Sequence, residues 1–523
     1  MKDLNAILEK YREDSSSERD KGTLFEVLMR NFLLTYAPYR GKFSDVWLWK
    51  DFPYKNDFGG KDLGIDLVAQ TVDGEFWAVQ CKFYAETSTI DKPAVDSFLA
   101  TSSKIFQGDI KFSARIWIST TNNFTDNAEK TLQNQSPPVT RIGIEDLRNA
   151  AVDWQKLDAG IFGDDARKID RQPLQHQLDA IAATHEHFKN FNRGKLIMAC
   201  GTGKTYTSLK IAELETDSRG KILFLVPSIS LLSQTLLEWS TFAENPFNYI
   251  CVCSDDTVSK SADEFLGVNL PMPATTDPAE ISRRIKNFLP DKMTVIFSTY
   301  QSLDKVAAAH IDFDLVICDE AHRTTGYGKD ATQFTAIHAE NFIHGKKRLY
   351  MTATPRLYNS DAKKKAADND LELWSMDDAK TYGDEIFHIG FGEAVEKNLL
   401  SDYKVIVLTI TENSVPAEIQ NALAADKTIN LDDVAKLIGC VNALQKRILN
   451  DFDEEFTPLT KAVAFCPKIT ASKQIAETFN ALNMNVAAEH IDGTMDAAKR
   501  DIKLSWLKNA DACRILTNVL CFF

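Results

Sequence analysis

The 523-residue sequence lacks the segments that mark membrane, secreted and disulfide-bonded proteins. No uninterrupted apolar run approaches the roughly 20 residues of a membrane-spanning helix, and the charged N-terminus lacks the apolar centre of a signal peptide. The nine cysteines are odd in number and scattered, and no pair has the C-x-x-C spacing of a zinc or redox site. These absences predict a soluble, cytoplasmic protein of a reducing compartment that has no membrane partner.

The sequence also lacks a positive net charge, since 60 Lys and Arg stand against 74 Asp and Glu for a formal charge of −14. A nucleic-acid-binding protein of this size would therefore need local basic grooves, because the overall field repels phosphate. No internal repeat of fixed period occurs, which argues against solenoids and propellers. With 44% apolar and 26% charged residues, the composition is that of a globular chain of about three domains.

The apolar pattern changes at residues 161–170, whose polar, aperiodic sequence predicts a linker. Before this segment, helical apolar spacing at 22–36 is followed by short alternating strands. After it, nearly continuous apolar runs alternate with helical patterns, which predicts a parallel α/β sheet covered on both faces. A second set of such runs begins near residue 403. We therefore predict three domains, at residues 1–160, 171–395 and 396–523.

A glycine-containing loop follows the first of these apolar runs and precedes a predicted helix, with the sequence Ala199-Cys200-Gly201-Thr202-Gly203-Lys204-Thr205. Glycines allow backbone N–H groups to surround phosphate oxygens at a helix N-terminus. The pattern predicts an ATP-binding loop in which Lys204 contacts the β- and γ-phosphates and the Thr205 hydroxyl binds Mg²⁺. Met198 departs from the G-x-x-x-x-G-K-[ST] pattern, which has glycine at that position.

A second motif supports this interpretation, because the apolar strand at 314–319 ends in Asp319-Glu320-Ala321-His322. A carboxylate at the C-terminal end of a sheet strand can anchor a phosphate-bound metal ion. We predict that Asp319 binds Mg²⁺ and that Glu320 orients and deprotonates the attacking water.

Together these motifs resemble those of the DEAH-box helicases and translocases of superfamily 2, over about residues 170–523. The Met198 departure is usual in that family. The resemblance places the following residues at the nucleotide: Gln175 at the adenine, with Gly201, Thr202, Gly203, Lys204, Thr205, Asp319 and His322. It also implies that Thr352 and Thr354 couple nucleotide state to nucleic acid, and that Thr299, Thr517 and Asn518 contact DNA.

The sequence departs from this family at its C-terminal end. After Thr517-Asn518 the family's strand-contacting motif continues into a turn with Glu-Gly, whereas here only residues 519–523 remain. The final family motif supplies arginines that stabilise the transferring phosphate, and such an arginine accelerates hydrolysis by about 10³–10⁵. The sequence as given is therefore expected to form an incomplete motor that hydrolyses ATP slowly on its own.

Two short strands in the first domain, 64–69 and 77–82, flank Asp73-Gly74, a strong hairpin signal. The length of the loop decides which polar side chains meet. A two-residue loop sets Asp66 opposite Cys81, whereas a three-residue loop pairs Asp66 with Gln80 or Lys82. Since Gln80 and Lys82 share one face, clustering of all three requires the longer loop or a bulge.

An acidic residue, a polar residue and a lysine on one sheet face suit metal-assisted phosphodiester hydrolysis, with the carboxylate on Mg²⁺ and the lysine near the attacking water. Residues 20–150 resemble the Mrr-like branch of the PD-(D/E)xK nucleases, in which Gln replaces Asp or Glu. The resemblance implies that Asp66, Gln80 and Lys82 are catalytic and that Glu26, on the preceding helix, is a supporting metal ligand. The alternative is an ordinary half-exposed strand and a surface helix residue.

An Mrr-like nuclease followed by a DEAH-box motor resembles the N-terminal part of Type ISP restriction-modification enzymes. The resemblance implies an α/β protein with a restriction-endonuclease fold and two RecA-like domains, the second incomplete. It also implies ATP-dependent translocation on double-stranded DNA, coupled to Mg²⁺-dependent cleavage, with C-terminal methyltransferase and target-recognition domains as missing partners. Two alternatives remain: the motor-nuclease subunit of a Type I or Type III-like system with a separate modification subunit, and a catalytically silent DNA-binding fragment.

Overall fold

The computed structural model divides the chain into two units, one up to Ser401 and one from Asp402 onward. Among the described helices, none combines the length and apolarity that crossing a bilayer requires. The structure describes all residues except 1, 16, 59–63, 134, 170, 254–269, 289, 327–331, 369–371, 403–459, 467, 482–485, 493–494, 496, 511–512 and 520–523.

Helices and strands of the described residues are numbered along the chain, and short 3-10 turns are left without numbers. The helices are α1 (Lys2–Asp14), α2 (Glu18–Leu33), α3 (Lys92–Ser102), α4 (Asp126–Leu132), α5 (Ile144–Asn149), α6 (Trp154–Asp158), α7 (Gln175–His187), α8 (Lys204–Glu215), α9 (Ile229–Phe242), α10 (Pro278–Asn287), α11 (Leu303–Ala308), α12 (Thr332–Thr335), α13 (Ser360–Asp368), α14 (Ala379–Tyr382), α15 (Phe391–Glu396), α16 (Ile469–Ala481) and α17 (Ala497–Lys508). The strands are β1 (Phe43–Leu48), β2 (Leu67–Thr71), β3 (Phe76–Lys82), β4 (Thr89–Ile90), β5 (Phe112–Ser119), β6 (Asn123–Phe124), β7 (Val139–Ile142), β8 (Arg193–Met198), β9 (Lys221–Val226), β10 (Asn248–Val252), β11 (Thr294–Thr299), β12 (Phe313–Cys318), β13 (Gly345–Thr352), β14 (Asp384–Ile389), β15 (Lys461–Cys466), β16 (Ala487–His490) and β17 (Arg514–Val519).

The first part of the chain forms a mixed sheet in the order β1-β2-β3-β5-β7, antiparallel up to β3 and parallel beyond it. Helix α2 buries an apolar stripe, including Phe25 and Leu28, in a core shared with Leu67 and Val79 of one sheet face. Helix α3 packs on the other face through a separate core. The sheet is therefore covered on both sides, which explains the nearly continuous burial along β3.

The hairpin between β2 and β3 has a three-residue loop. Leu67 pairs with Val79, and the amide of Thr71 donates to the carbonyl of Glu75 over 2.8 Å, so residues 72–74 form the turn. Gly74 adopts φ +82°, a conformation that glycine accepts without strain. Of the two registers that the sequence left open, the longer loop is the one observed.

The next part of the chain forms a parallel sheet in the order β10-β11-β9-β12-β13-β8-β14. Its central strands are apolar throughout, and residues 222–226 of β9 have no exposed surface. The apolar runs predicted at 195–199, 221–226, 293–298, 314–319 and 348–353 all lie in strands of this sheet. The α/β prediction is confirmed by this sheet, since helices cover both of its faces.

Residues 161–169 connect the two sheets as a mostly exposed segment that is anchored at Ala166 and Arg167. The Arg167 side chain is only 2% exposed, and its guanidinium donates to the carbonyl of Thr241 over 2.8 Å at the end of α9. Arg40 donates to the carbonyl of Ala243 over 3.2 Å, and both arginines pair with Asp164. The polar composition that predicted a linker thus supplies hydrogen-bond partners for a helix C-terminus, where cations are favourable.

The second unit contains a parallel sheet in the order β15-β17-β16, with α16 and α17. The runs predicted at 461–466 and 514–519 coincide with β15 and β17. The run predicted at 403–410 lies outside the described residues.

Arg167→Met should loosen the segment at 161–169, because it removes the donor to the carbonyl groups at the end of α9. We expect the free energy of local opening to fall by about 1–3 kcal/mol, the usual penalty for an unsatisfied buried polar group. Hydrogen exchange at the backbone amides of this segment measures the change as faster exchange. Lys168→Met is the matched control, since Lys168 is exposed and pairs with Asp3 at 3.5 Å on the surface. Unchanged exchange in Arg167→Met would show that this contact does not hold the segment.

Candidate nuclease and nucleotide-binding sites

The polar residues of the first hairpin meet at the start of β2 and the end of β3. One oxygen of the Asp66 carboxylate accepts a hydrogen bond from the amide of Cys81 over 2.6 Å and another from the side chain of Gln80. Gln80 is 2% exposed, and Lys82 is the next residue of β3 on the same face. The three-residue loop therefore places all three predicted residues together at one end of the hairpin.

The fourth predicted residue, Glu26, acts electrostatically on the thiol of Cys81, which lies between Gln80 and Lys82. Burial raises the pKa of this thiol, the negative charges of Asp66 and Glu26 raise it further, and Lys82 opposes them. Glu26 is a partly buried residue of α2, the helix that packs on this end of the sheet. The charges of Asp66, Glu26 and Lys82 therefore all act on this thiol.

The donor set of this cluster fits a hard divalent cation. No group of three or more His, Cys, Asp or Glu side chains able to hold a metal ion is found among the described residues. A cation here would therefore use the carboxylates of Asp66 and Glu26, the side-chain oxygen of Gln80, and water, a set that suits Mg²⁺. Gly64 borders the cluster, since a Cβ at that position would lie 3.2 Å from Ser97 Oγ and 3.5 Å from Gln80 Oε1.

The phosphate-binding loop lies between β8 and α8. Gly201 and Gly203 have φ +87° and +85°, so the loop uses the left-handed conformation that glycine permits. Gly203 is the N-cap of α8, and Lys204 is the first residue of that helix. The loop therefore points its backbone N–H groups to one side at the positive end of a helix, an arrangement that fits phosphate.

Two residues that the sequence did not indicate, His176 and Gln177, bind the backbone of the phosphate-binding loop. The carbonyl of Thr202 accepts hydrogen bonds from His176 Nε2 over 2.8 Å and from Gln177 Nε2 over 3.1 Å. A Cβ at Gly203 would lie 2.3 Å from Gln177 Nε2, and the φ of +85° would strain any side chain there, so a substitution would displace Gln177 and strain the backbone. Their position directly after Gln175 was the available signal. Gln175 itself is exposed and donates to Asp179 over 2.8 Å.

The acidic motif lies beside this loop. Asp319 is 8% exposed, and burial raises its pKa to about 6, helped by the charge of Glu320 and opposed by Lys204. The backbone carbonyl of Asp319 accepts a hydrogen bond from the Tyr300 hydroxyl over 2.8 Å. The ammonium group of Lys204 donates to the carbonyl of Met198 over 3.2 Å. Since β8 and β12 are parallel strands on either side of β13, the loop after β8 and the acidic motif after β12 lie at the same end of the sheet.

Glu320 has φ +49° and connects the acidic motif to the next strand through His322. Burial raises the pKa of Glu320, but the hydrogen bond from His322 and the charge of Lys204 outweigh it, and the net shift is downward. His322 Nδ1 lies 3.3 Å from Glu320 and 3.0 Å from the Thr352 hydroxyl. The Thr352 hydroxyl also accepts from the amide of Thr354 over 3.2 Å. The predicted catalytic and coupling residues therefore form one connected network.

The residues predicted to contact DNA are mostly buried. The Thr299 hydroxyl lies 3.2 Å from that of Ser302, and Thr299 is 2% exposed. In the second unit, the Thr517 hydroxyl donates to the carbonyl of Ser472 over 2.9 Å, and Asn518 is partly exposed. Both threonine hydroxyls thus have protein partners in this structure, and their contact with DNA stays a prediction.

Comparisons with known proteins agree with this division of sites. Residues 35–162 match an Mrr-type family described as restriction endonuclease, and residues 170–357 match the family described as Type III restriction enzyme, res subunit. The structure of the ATP-dependent Type ISP restriction-modification enzyme LlaBIII bound to DNA is 34% identical over 96% of this chain, with a TM-score of 0.81.

Two curated proteins match smaller parts. The probable helicase A859L of African swine fever virus is 30% identical over 249 residues, which are 47% of this chain and 25% of that protein. The Type I restriction enzyme EcoAI endonuclease subunit of Escherichia coli is 24% identical over 333 residues, or 60% of this chain and 35% of that protein. This chain covers 34% of LlaBIII, so it spans about a third or less of the length of these relatives.

The domain order, the two family matches and the similarity to LlaBIII confirm the predicted resemblance. The chain contains an Mrr-type restriction-endonuclease region followed by a region of the Type III restriction enzyme res-subunit family, and over 96% of its length it is similar to the Type ISP restriction-modification enzyme LlaBIII.

Proposed function

We propose that this protein is an ATP-dependent DNA translocase coupled to Mg²⁺-dependent DNA cleavage, acting in the restriction of foreign DNA. The observation that carries the proposal is the presence of two polar clusters in one unit: Asp66, Gln80 and Lys82 in the nuclease sheet, and Lys204 with Asp319 in the motor sheet. The structure of LlaBIII was solved bound to DNA, which supports DNA as the substrate, and we propose that this DNA is double-stranded.

The motor cluster suits the binding and hydrolysis of ATP. Helix α8 offers its N-terminal amides to the phosphates, and Lys204 adds a positive charge. Thr205 and Asp319 are the residues that would hold Mg²⁺, which neutralises charge on the phosphates. Glu320 has a lowered pKa and is therefore ionised at neutral pH, so it can accept the proton of the attacking water.

Coupling of nucleotide state to DNA would pass through His322. Its imidazole contacts both Glu320 and Thr352, and Thr352 contacts the backbone at Thr354. A change at the γ-phosphate that moves Glu320 would therefore be transmitted to the end of β13 through two contacts, from Glu320 to His322 and from His322 to Thr352. We propose this chain of hydrogen bonds as the coupling element, with Thr299, Thr517 and Asn518 as the DNA-facing residues.

In the nuclease cluster, Asp66 and Glu26 are the proposed metal ligands, and the oxygen of Gln80 completes the set. The Gln80 amide nitrogen is assigned toward Asp66, so metal binding would require the reversed orientation of the amide, which turns its oxygen toward the ion. Mg²⁺, when bound, stabilises the charge that develops on the phosphate. Lys82, on the same face, would orient the water that attacks the phosphodiester.

The proposed partners beyond DNA are methyltransferase and target-recognition domains, which mark and select the sites to be protected. Similarity to a single-polypeptide Type ISP enzyme over 96% of the chain favours domains in the same polypeptide. The weaker similarity to a Type I endonuclease subunit extends over 60% of it.

Lys204→Ala should abolish DNA-stimulated ATP hydrolysis, because it removes the positive charge at the β- and γ-phosphates. Glu320→Gln should retain ATP binding but lower the single-turnover hydrolysis rate by about 10²-fold or more, since only the base is lost. Lys221→Ala is the control, because Lys221 is an exposed residue at the opposite end of β9. Hydrolysis at the parental rate in Glu320→Gln would contradict the role given to this carboxylate.

Asp66→Ala or Lys82→Ala should remove DNA cleavage and leave ATP hydrolysis intact, because the nuclease and motor clusters lie in different sheets. A nicking assay on plasmid DNA with Mg²⁺ and an ATPase assay on the same preparation measure the two activities. Asp73→Ala is the matched control, as Asp73 lies in the turn at the other end of the same hairpin. Cleavage by Asp66→Ala at the parental rate would exclude this cluster as the nuclease site.

A further inference from the structure

A pair of side chains outside every sequence motif holds the backbone directly after the acidic motif. The carbonyl of Thr324 accepts hydrogen bonds from the Tyr382 hydroxyl over 2.8 Å and from His338 Nε2 over 3.0 Å. Thr324 is the last residue of the 3-10 turn that follows Glu320. Thr324 and Tyr382 are fully buried, so neither hydrogen bond at the end of that turn is readily replaced by water.

The protonation state of His338 is determined by its two partners. A carbonyl oxygen can only accept, so Nε2 carries the proton that is donated to Thr324. Burial lowers the pKa of His338 to about 4, so the ring is neutral at physiological pH and Nδ1 is an acceptor. Nδ1 lies 3.1 Å from the buried Tyr350 hydroxyl, which donates to it. The Tyr350 hydroxyl thus donates to His338, and His338 donates to the Thr324 carbonyl.

The hydrogen bonds from Tyr382 and His338 to the Thr324 carbonyl form an anchor, which acts on the turn that follows Glu320. Glu320 is not a glycine, and its φ of +49° is disfavoured by roughly 1–2 kcal/mol, so the surroundings must hold it there. Before Glu320, Tyr300 binds the carbonyl of Asp319 over 2.8 Å. After it, the Arg323 amide donates to the Glu320 carbonyl over 3.0 Å. The Thr324 anchor closes the turn at its far end.

We propose that His338 and Tyr382 are positioning residues for Glu320, holding its carboxylate at the attacking water without touching the nucleotide. The inference rests on the proposed role of Glu320 as the base. Tyr382 ends α14 and is separated by Gly383 alone from β14, which pairs with β8, the strand that leads into the phosphate-binding loop. The anchor therefore ties the acidic motif to the segment that borders the nucleotide loop.

Tyr382→Phe should lower the single-turnover rate of ATP hydrolysis on duplex DNA by about 10-fold, because a small displacement of a catalytic group is expensive in rate. Binding of a fluorescent ATP analogue should remain unchanged. Protein in excess over ATP makes even slow hydrolysis measurable. Tyr249→Phe is the matched control: it removes another buried hydroxyl, which binds the Pro38 carbonyl over 2.7 Å, far from the acidic motif in the sheet order.

A double-mutant cycle separates positioning from general destabilisation. In a Glu320→Gln background, Tyr382→Phe should have little further effect, because the group that it positions is already disabled. The same 10-fold loss in both backgrounds, or no loss in the parent, would overturn the proposal. If Glu320→Gln alone hydrolyses ATP at the parental rate, the proposed base is wrong instead.

The His338 side of the anchor has its own test. His338→Gln keeps a side-chain N–H donor that can reach the Thr324 carbonyl, whereas His338→Leu has none. We expect Gln to retain most of the hydrolysis rate and Leu to lose about 10-fold, with equal ATP-analogue binding in both. Equal hydrolysis by the two folded variants would show that the donor to Thr324 is irrelevant.

Discussion

The motor site depends on the interaction between the buried carboxylate of Asp319 and the ammonium group of Lys204, whose positive charge favours the ionised carboxylate. Asp319 ends a strand whose neighbours are buried on both faces, so burial raises its pKa to about 6. Lys204, at the start of α8, is the positive charge that acts against this shift. The two groups can interact only because β8 and β12 run parallel with β13 between them, so that the ends of all three strands lie at one edge of the sheet. Thr352 ends β13 at that same edge, and His322 reaches it from the acidic motif.

The nuclease cluster depends on a different constraint, the length of one turn. With residues 72–74 as the loop, Asp66 faces Gln80 and accepts from the Cys81 amide over 2.6 Å. A loop shorter by one residue would turn Gln80 and Lys82 to the opposite face from Asp66, since side chains alternate along a strand. One conformation, supported by the positive φ of Gly74, therefore decides whether the three side chains form a site.

The nuclease sheet and the motor sheet belong to one unit. Charged side chains of the nuclease part and of the connecting segment cap α9, a helix of the motor part. Arg40 and Arg167 donate to the last carbonyl groups of α9, and Tyr249 of β10 binds the carbonyl of Pro38. Helix α9 also contacts the nucleotide loop, since Trp239 Nε1 donates to the carbonyl of Thr205 over 3.1 Å. The nuclease part of the chain thus contacts α9, which in turn contacts α8, the helix that follows the phosphate-binding loop.

The sequence by itself determined five apolar strands of the motor sheet, the two functional motifs and the family resemblance, because hydrophobic periodicity and short-range spacing are local properties. It predicted the apolar strands of the motor sheet and the loop at Gly201–Thr205, and it left two registers for the hairpin. It did not predict β14, whose partly exposed, polar sequence lacks the continuous apolar pattern. Nor did it indicate His176, Gln177, His338 or Tyr382, which act on backbone carbonyl groups rather than through a recognisable motif. Only the tertiary structure decided those contacts, because any residue presents the same carbonyl group, and which donor reaches it depends on how distant segments pack.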